Sequence, residues 1–147
     1  MEMRFDRAAV LGAGVMGSTI AAHLANAGMK TVLLDIVPPE GSGVKGDPSS
    51  RSYRNAFAAK GLEAALKASP KAFYRSDSAR LVTVGNLEDD LELLGDVDWV
   101  IEVVVERMDI KKQLFAKVAP WLNDKAVLSS NTSGLSINEM AEDLPEG

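Results

Sequence analysis

Arg7-Ala8-Ala9-Val10-Leu11-Gly12-Ala13-Gly14-Val15-Met16-Gly17 is a short apolar run leading into three glycines at the spacing G-x-G-x-x-G. The run Arg7 to Leu11 predicts a buried strand. Beyond it Met16, Ile20, Leu24 and Ala27 recur at helical spacing, and Gly28 supplies a stop. Thr31-Val32-Leu33-Leu34 predicts a second buried strand ending at Asp35. Strand, helix and strand form a βαβ unit with a right-handed crossover. Each glycine between the first strand and the helix has its own physical reason. Gly12 makes the tight turn, Gly14 lets backbone approach a pyrophosphate, and Gly17 lets the helix lie close to the sheet. The helix start adds free N–H groups and a partial positive charge, which suit phosphates.

Asp35, with Ile36 beside it, ends the second strand where a carboxylate accepts hydrogen bonds from an adenosine ribose. The competing reading is that the glycines only form a tight turn and Asp35 only caps a strand; the combination favours dinucleotide binding. A carboxylate there repels a 2′-phosphate, and no arginine follows in Ile36-Val37-Pro38, so NAD is expected over NADP.

Further along, Pro38 to Ser52 is rich in Pro, Gly and Ser and reads as a loop, and Tyr53 to Ala68 as a helix. Leu81-Val82-Thr83-Val84 predicts a third strand, and Leu87 to Leu94 a short acidic helix. Trp99-Val100-Ile101-Glu102-Val103-Val104-Val105 is the strongest strand pattern, nearly continuous in apolar residues as a strand covered on both faces is. Ile110, Leu114, Phe115 and Val118 form a helical stripe that stops near Pro120. Ala126-Val127-Leu128 is a last strand, running into Ser129-Ser130-Asn131-Thr132-Ser133-Gly134. The alternation predicts an α/β fold with a doubly wound parallel sheet of Rossmann type.

Bulk properties narrow the function classes. The 147 residues suffice for one domain, and hydrophobic (46%) and charged (25%) shares are those of a soluble globular protein. With no cysteine and only His23, disulfides, thiol chemistry and His- or Cys-based metal sites are excluded, so no metal is expected. Neither a signal peptide nor an apolar run long enough for a membrane span is visible, which points to a cytoplasmic protein. The net charge of −5 argues against nucleic-acid binding. It is unevenly spread, because Pro38 to Arg80 holds eight Lys/Arg against four Asp/Glu. Two polar clusters, Val104-Val105-Glu106 with Lys111, and Asn131-Thr132-Ser133-Gly134, fall at predicted carboxyl ends of strands, where open α/β sheets bind ligands. On pattern alone, loop polarity explains both equally well.

Taken together, the glycine turn, Ile101-Glu102-Val103-Val104-Val105-Glu106, Lys111-Lys112-Gln113-Leu114-Phe115 and Ser129-Ser130-Asn131-Thr132-Ser133-Gly134-Leu135-Ser136 resemble the 3-hydroxyacyl-CoA dehydrogenase family. The basic insertion 38–80 is similar to the branch in which a hydratase domain is fused to the dehydrogenase. The resemblance implies that Gly12, Ala13, Gly14, Val15, Met16 and Gly17 meet the NAD pyrophosphate, and Asp35 and Ile36 the adenosine. It implies that Val104, Val105, Glu106, Lys111 and Asn131 line the nicotinamide side, and that Ser133 touches both cofactor and substrate and is catalytic. The implied reaction takes a hydride from C3 of an L-3-hydroxyacyl-CoA. The family's Gly-x-His-Phe-Phe-Asn-Pro segment, whose histidine is the general base, does not occur here. Residues 1–147 are therefore expected to form an NAD-binding domain cut near its C-terminal end, inactive alone. Its missing helical domain would bind the acyl-CoA and make a homo-oligomer. Arg51, Arg54, Lys60, Lys67 and Lys71 are offered as a segment that attracts CoA phosphates. Another β-hydroxyacid dehydrogenase and a non-catalytic NAD-binding module are the alternative readings.

Overall fold

The structure, a computed structural model, describes residues 4–145. Five strands form one parallel sheet: β1 (Arg7–Leu11), β2 (Lys30–Asp35), β3 (Val82–Asn86), β4 (Trp99–Glu102) and β5 (Val127–Ser130), in the order β3-β2-β1-β4-β5. The helices are α1 (Val15–Asn26), α2 (Arg51–Arg54), α3 (Ala56–Lys67), α4 (Met108–Val118) and α5 (Ile137–Ala141). Chain direction across the sheet reverses between β2 and β4, so the switch point lies at the carboxyl end of β1. No described helix is long and apolar enough to cross a membrane.

Alternation along β1 divides the core in two. Ala8 and Val10 join Ala21, Leu24, Leu33, Ala58 and Phe73 beneath α1 and α3. Ala9 and Leu11 join Leu34, Leu94, Val100, Leu114 and Val118 beneath α4. The face of α1 that is buried differs from the predicted stripe: Gly17, Ser18, Ala21, Ala22, Leu24 and Ala25 are buried, while Met16 is 56% exposed. The cause is the close approach at Gly17, where an added Cβ would run into the carbonyl of Gly12. A helix that near the sheet favours small side chains around Gly17, while Leu24 is buried further along.

Besides shifts of one or two residues at the ends of β3 and β5, the elements depart from the sequence reading in four places. The helix expected over Tyr53–Ala68 starts at Arg51, where the Ser50 hydroxyl accepts the Tyr53 N–H, and is broken at Asn55 into α2 and α3. In place of an acidic helix from Leu87 there is a turn and then a 3-10 segment, Leu91–Asp96. The Asn86 side chain accepts the Glu88 and Asp89 N–H groups there, diverting the backbone from α-helix. β4 stops at Glu102 instead of Val105, because its neighbour β1 turns away at Gly12 and the Val104 N–H goes to the Glu102 carboxylate. α5, capped by Ser136 accepting from the Glu139 N–H, has no counterpart in the sequence reading.

Candidate functional site

Register decides which loops meet. Leu11 stands opposite Leu34 and Glu102, and Glu102 opposite Ser130. The residues after each of these therefore leave the sheet at one edge. Backbone bonds continue the row, from Gly12 N–H to Leu34 O, Val103 N–H to Leu11 O and Asn131 N–H to Glu102 O, each at 2.8 Å.

On the β1–β2 side the wall is backbone. Gly12 turns at φ +109°, a conformation L side chains rarely adopt, and a Cβ on it would lie 2.7 Å from the Val103 carbonyl oxygen. Gly14 is the N-cap of α1, without a side chain to cap it, so the first N–H groups of the helix have no side-chain partner. Nothing lies within 4 Å of where a Gly14 Cβ would be, and Val15 beside it is 85% exposed. Such open space over free N–H groups fits a pyrophosphate. Asp35 completes this wall: one carboxylate oxygen accepts the Ala13 N–H at 2.7 Å and the other the Ile36 N–H at 2.7 Å. A carboxylate oxygen can take more than one donor, so ribose hydroxyls still find acceptors there. A cleft of about 600 Å³ runs from Gly12, Gly14, Asp35 and Ile36 across to Val104 and Val105. Its lining also includes Leu87, Glu88, Ile110 and Gln113, to which the sequence reading gave no site role.

On the β4–β5 side the wall is held by side chains. Lys111, 1% exposed, lies under the loop instead of on it, with its ammonium 2.7 Å from Glu102 Oε1 and 3.5 Å from Glu106 Oε2. Glu102 also accepts from the Ser130 hydroxyl, Ser130 Oγ accepts the Thr132 N–H at 3.2 Å, and the Thr132 hydroxyl donates to Glu106. Lys111, Glu102, Ser130, Thr132 and Glu106 thus close a ring between the two loops. The Thr132 hydroxyl, followed by the charge of Lys111, holds the Glu106 carboxyl below the usual range, against partial burial acting the other way. Asn131 and Ser133 are exposed above the ring. Glu102, Ser130 and Thr132 carried no role in the sequence reading. The available signal was a carboxylate inside an otherwise apolar strand.

The basic insertion packs beside the first wall, Gly61 of α3 against Ala13 and Ser18. Arg51 and Arg54 are tied down: Arg51 donates to Asp90 at 2.9 Å, and Arg54 to both oxygens of Asp89, with Nη2 to Oδ1 at 2.8 Å. The Arg54 guanidinium, with the Asn86 amide, lowers Asp89 to about 2. Lys67 pairs with Glu63. Lys60 borders a second groove, of about 460 Å³, opening beside Gly14.

A parallel sheet in this order with this glycine turn is shared by many nucleotide-binding proteins, and comparison with known proteins narrows the choice. The family described as 3-hydroxyacyl-CoA dehydrogenase, NAD binding domain, matches residues 7–147. A probable 3-hydroxyacyl-CoA dehydrogenase of Deinococcus radiodurans is 49% identical over 98% of the chain and 39% of its own length. A putative fatty acid oxidation complex trifunctional enzyme of Rickettsia felis is 40% identical over 99% of the chain and 19% of its own. The crystal structure of FadB2 from M. tuberculosis superposes with a TM-score of 0.67 at 34% identity, covering 95% of the chain and 45% of that protein. The chain thus spans less than half the length of each. Since the match runs from the strand before the glycine turn through the Ser130–Ser133 loop, the chain belongs to the 3-hydroxyacyl-CoA dehydrogenase family, as its NAD-binding domain.

Proposed function

We propose that this chain is the NAD-binding part of an enzyme that converts L-3-hydroxyacyl-CoA to 3-ketoacyl-CoA in fatty-acid β-oxidation, and that alone it binds NAD(H) without turnover. The meeting of the Glu106 and Ser133 loops at the switch point, one strand from the glycine turn, carries this reading. The N–H groups at the start of α1 hold the pyrophosphate, and Asp35 with Ile36 the adenosine, NAD being preferred to NADP. Val104, Val105, Glu106 and Asn131 line the nicotinamide side, with Lys111 acting from beneath through Glu106. When bound, the cofactor accepts the hydride from C3. Ser133, exposed at this edge, donates a hydrogen bond to the 3-oxygen that strengthens as charge develops there.

Oxidation of an alcohol also needs a proton acceptor. His23, the only histidine, is exposed in the last turn of α1, eight residues or about 12 Å along the axis from Val15, too far to serve. A base, a helical domain for the acyl chain and the homo-oligomer contacts belong, in this proposal, to further sequence such as the relatives carry. Of the basic segment, Lys60 and Lys71 are the better candidates for CoA phosphates, since Arg51 and Arg54 are engaged.

Titration of the chain with NADH and NADPH tests binding, with NADH expected to bind tighter. An assay with acetoacetyl-CoA and NADH tests turnover, with none expected. Steady turnover that survives His23→Ala would show that the catalytic base is already present. In the complete enzyme Ser133→Ala is expected to lower turnover by roughly one to three orders of magnitude, with little change in NADH affinity.

A further inference from the structure

Glu102 and Lys111 are the two charged side chains most completely withdrawn from solvent, at 0% and 1% exposure. Two charges taken from water gain nothing over an apolar pair of similar volume unless every donor and acceptor is well matched. Here the matching is complete for the carboxylate. Glu102 Oε1 accepts from Lys111 at 2.7 Å and from the Val104 N–H at 2.7 Å, and Oε2 accepts from Lys111 at 2.9 Å and from the Ser130 hydroxyl. An apolar pair would fill this space without joining any loop to another. The carboxylate joins three segments: the loop after β4 through Val104, α4 through Lys111, and the end of β5 through Ser130. Thr132 and Glu106 then bring the connection back to Lys111. Between the two loops themselves the backbone supplies one bond at the base, Asn131 N–H to Glu102 O.

We infer that Glu102 is a positioning residue: through Val104, Lys111 and Ser130 it fixes the 103–107 loop against the 131–135 loop and so sets the nicotinamide-side wall. The adenosine and pyrophosphate side is set by Gly12, Gly17 and Asp35 and meets this loop at Val103, before the Val104 N–H that Glu102 holds. This deepens the function proposed above and rests on its placement of the nicotinamide at this edge.

The division of labour between the two walls makes the role measurable. NADH spans both walls, whereas ADP presents only adenosine and pyrophosphate. Calorimetric titration of the chain with each ligand is therefore the test, on Glu102→Gln and on Ser130→Ala, which opens the ring without stranding a charge. NADH affinity is expected to fall about three- to tenfold in both variants, the worth of one or two hydrogen bonds. ADP affinity is expected to stay within about twofold of the parent. Ser130→Thr, which keeps the hydroxyl, restores NADH affinity. Should Glu102→Gln fail to fold, Ser130→Ala with its threonine rescue decides the matter. Equal losses for NADH and ADP would overturn the inference in favour of a general scaffold role, and so would unchanged NADH affinity in a folded Ser130→Ala. A parent chain that binds neither ligand would overturn the cofactor reading itself. A parent that binds ADP as tightly as NADH would overturn the nicotinamide placement alone.

Discussion

On one side of the cleft the wall is main chain: Gly12 at φ +109°, Gly17 pressed on the Gly12 carbonyl, and the Ala13 N–H held by Asp35. On the other side the wall is a ring of five side chains, Lys111, Glu102, Ser130, Thr132 and Glu106, closed across two loops. The first kind of wall forbids any added atom at a few positions, because backbone carbonyls already stand there. The second allows each member some freedom of chemistry, provided its partner changes with it. Damage therefore spreads differently: a change in the backbone wall is local and steric, whereas a change in the ring leaves an unpaired group behind.

Lys111→Met is the sharpest attack on the ring. It strands the Glu102 carboxylate, and a loss of about 3–5 kcal/mol is expected, read from the urea midpoint. Coupled with Glu102→Leu part of the loss should be recovered, since an apolar pair replaces an ion pair well, while the Val104 N–H and the Ser130 hydroxyl still lose their acceptor. A single variant as stable as the parent would mean that the ring does not hold the wall. In the backbone wall Gly17→Ala should cost about 2–3 kcal/mol by overpacking against Gly12. Gly14→Val is its counterpart: its Cβ meets open space, so stability should fall only by about 1 kcal/mol, the cost of a poorer N-cap, while NADH binding is lost. Tight NADH binding by that variant would move the pyrophosphate elsewhere.

Asp35→Asn sharpens the comparison by keeping an acceptor for the Ala13 N–H while removing the charge. The preference for NADH over NADPH should narrow by about tenfold, and an unchanged ratio would take the discrimination away from Asp35. The smallest effect concerns the Arg54–Asp89 pair. Its folded value of about 2 lies below the ordinary 3.8, so the pair contributes fully above the ordinary value and loses that contribution as pH falls towards 2. Arg54→Leu should shrink this part of the acid dependence, leaving the share due to the Asn86 amide, measured by urea midpoints between pH 5 and pH 2. It should leave the part due to Glu106, which is also lowered but has other partners.

The contrast between the walls also explains what could be read in the sequence. The βαβ unit, the glycine turn and Asp35 were legible because main-chain geometry demands particular residues at fixed spacing. The ring was not, since Ser130 and Thr132 acquire their partners only when β4 and β5 align in register. The start of the helix at Arg51 and the turn after β3 depend on the side chains of Ser50 and Asn86, where propensity averaged over a window says little. The face that α1 buries was legible only in part: Leu24 of the helical stripe is buried, but the close approach at Gly17 brings Ser18, Ala21, Ala22 and Ala25 inward as well.

Parallel pairing has a consequence for how this domain comes together in time. No neighbouring strands here can meet by a hairpin, so each contact waits for a crossover. β1 finds β2 early, Ala8 opposite Thr31, but finds β4 only with Ala8 opposite Trp99. Closing a loop that is about four times longer adds roughly 1.2 kcal/mol of chain entropy. The seam between β1 and β4 is the one on which the cleft lies, so the two walls remain apart until the chain has been made and gathered past β4. Folding of this domain should accordingly run in the slower, non-local regime, with the cleft among the last features to appear.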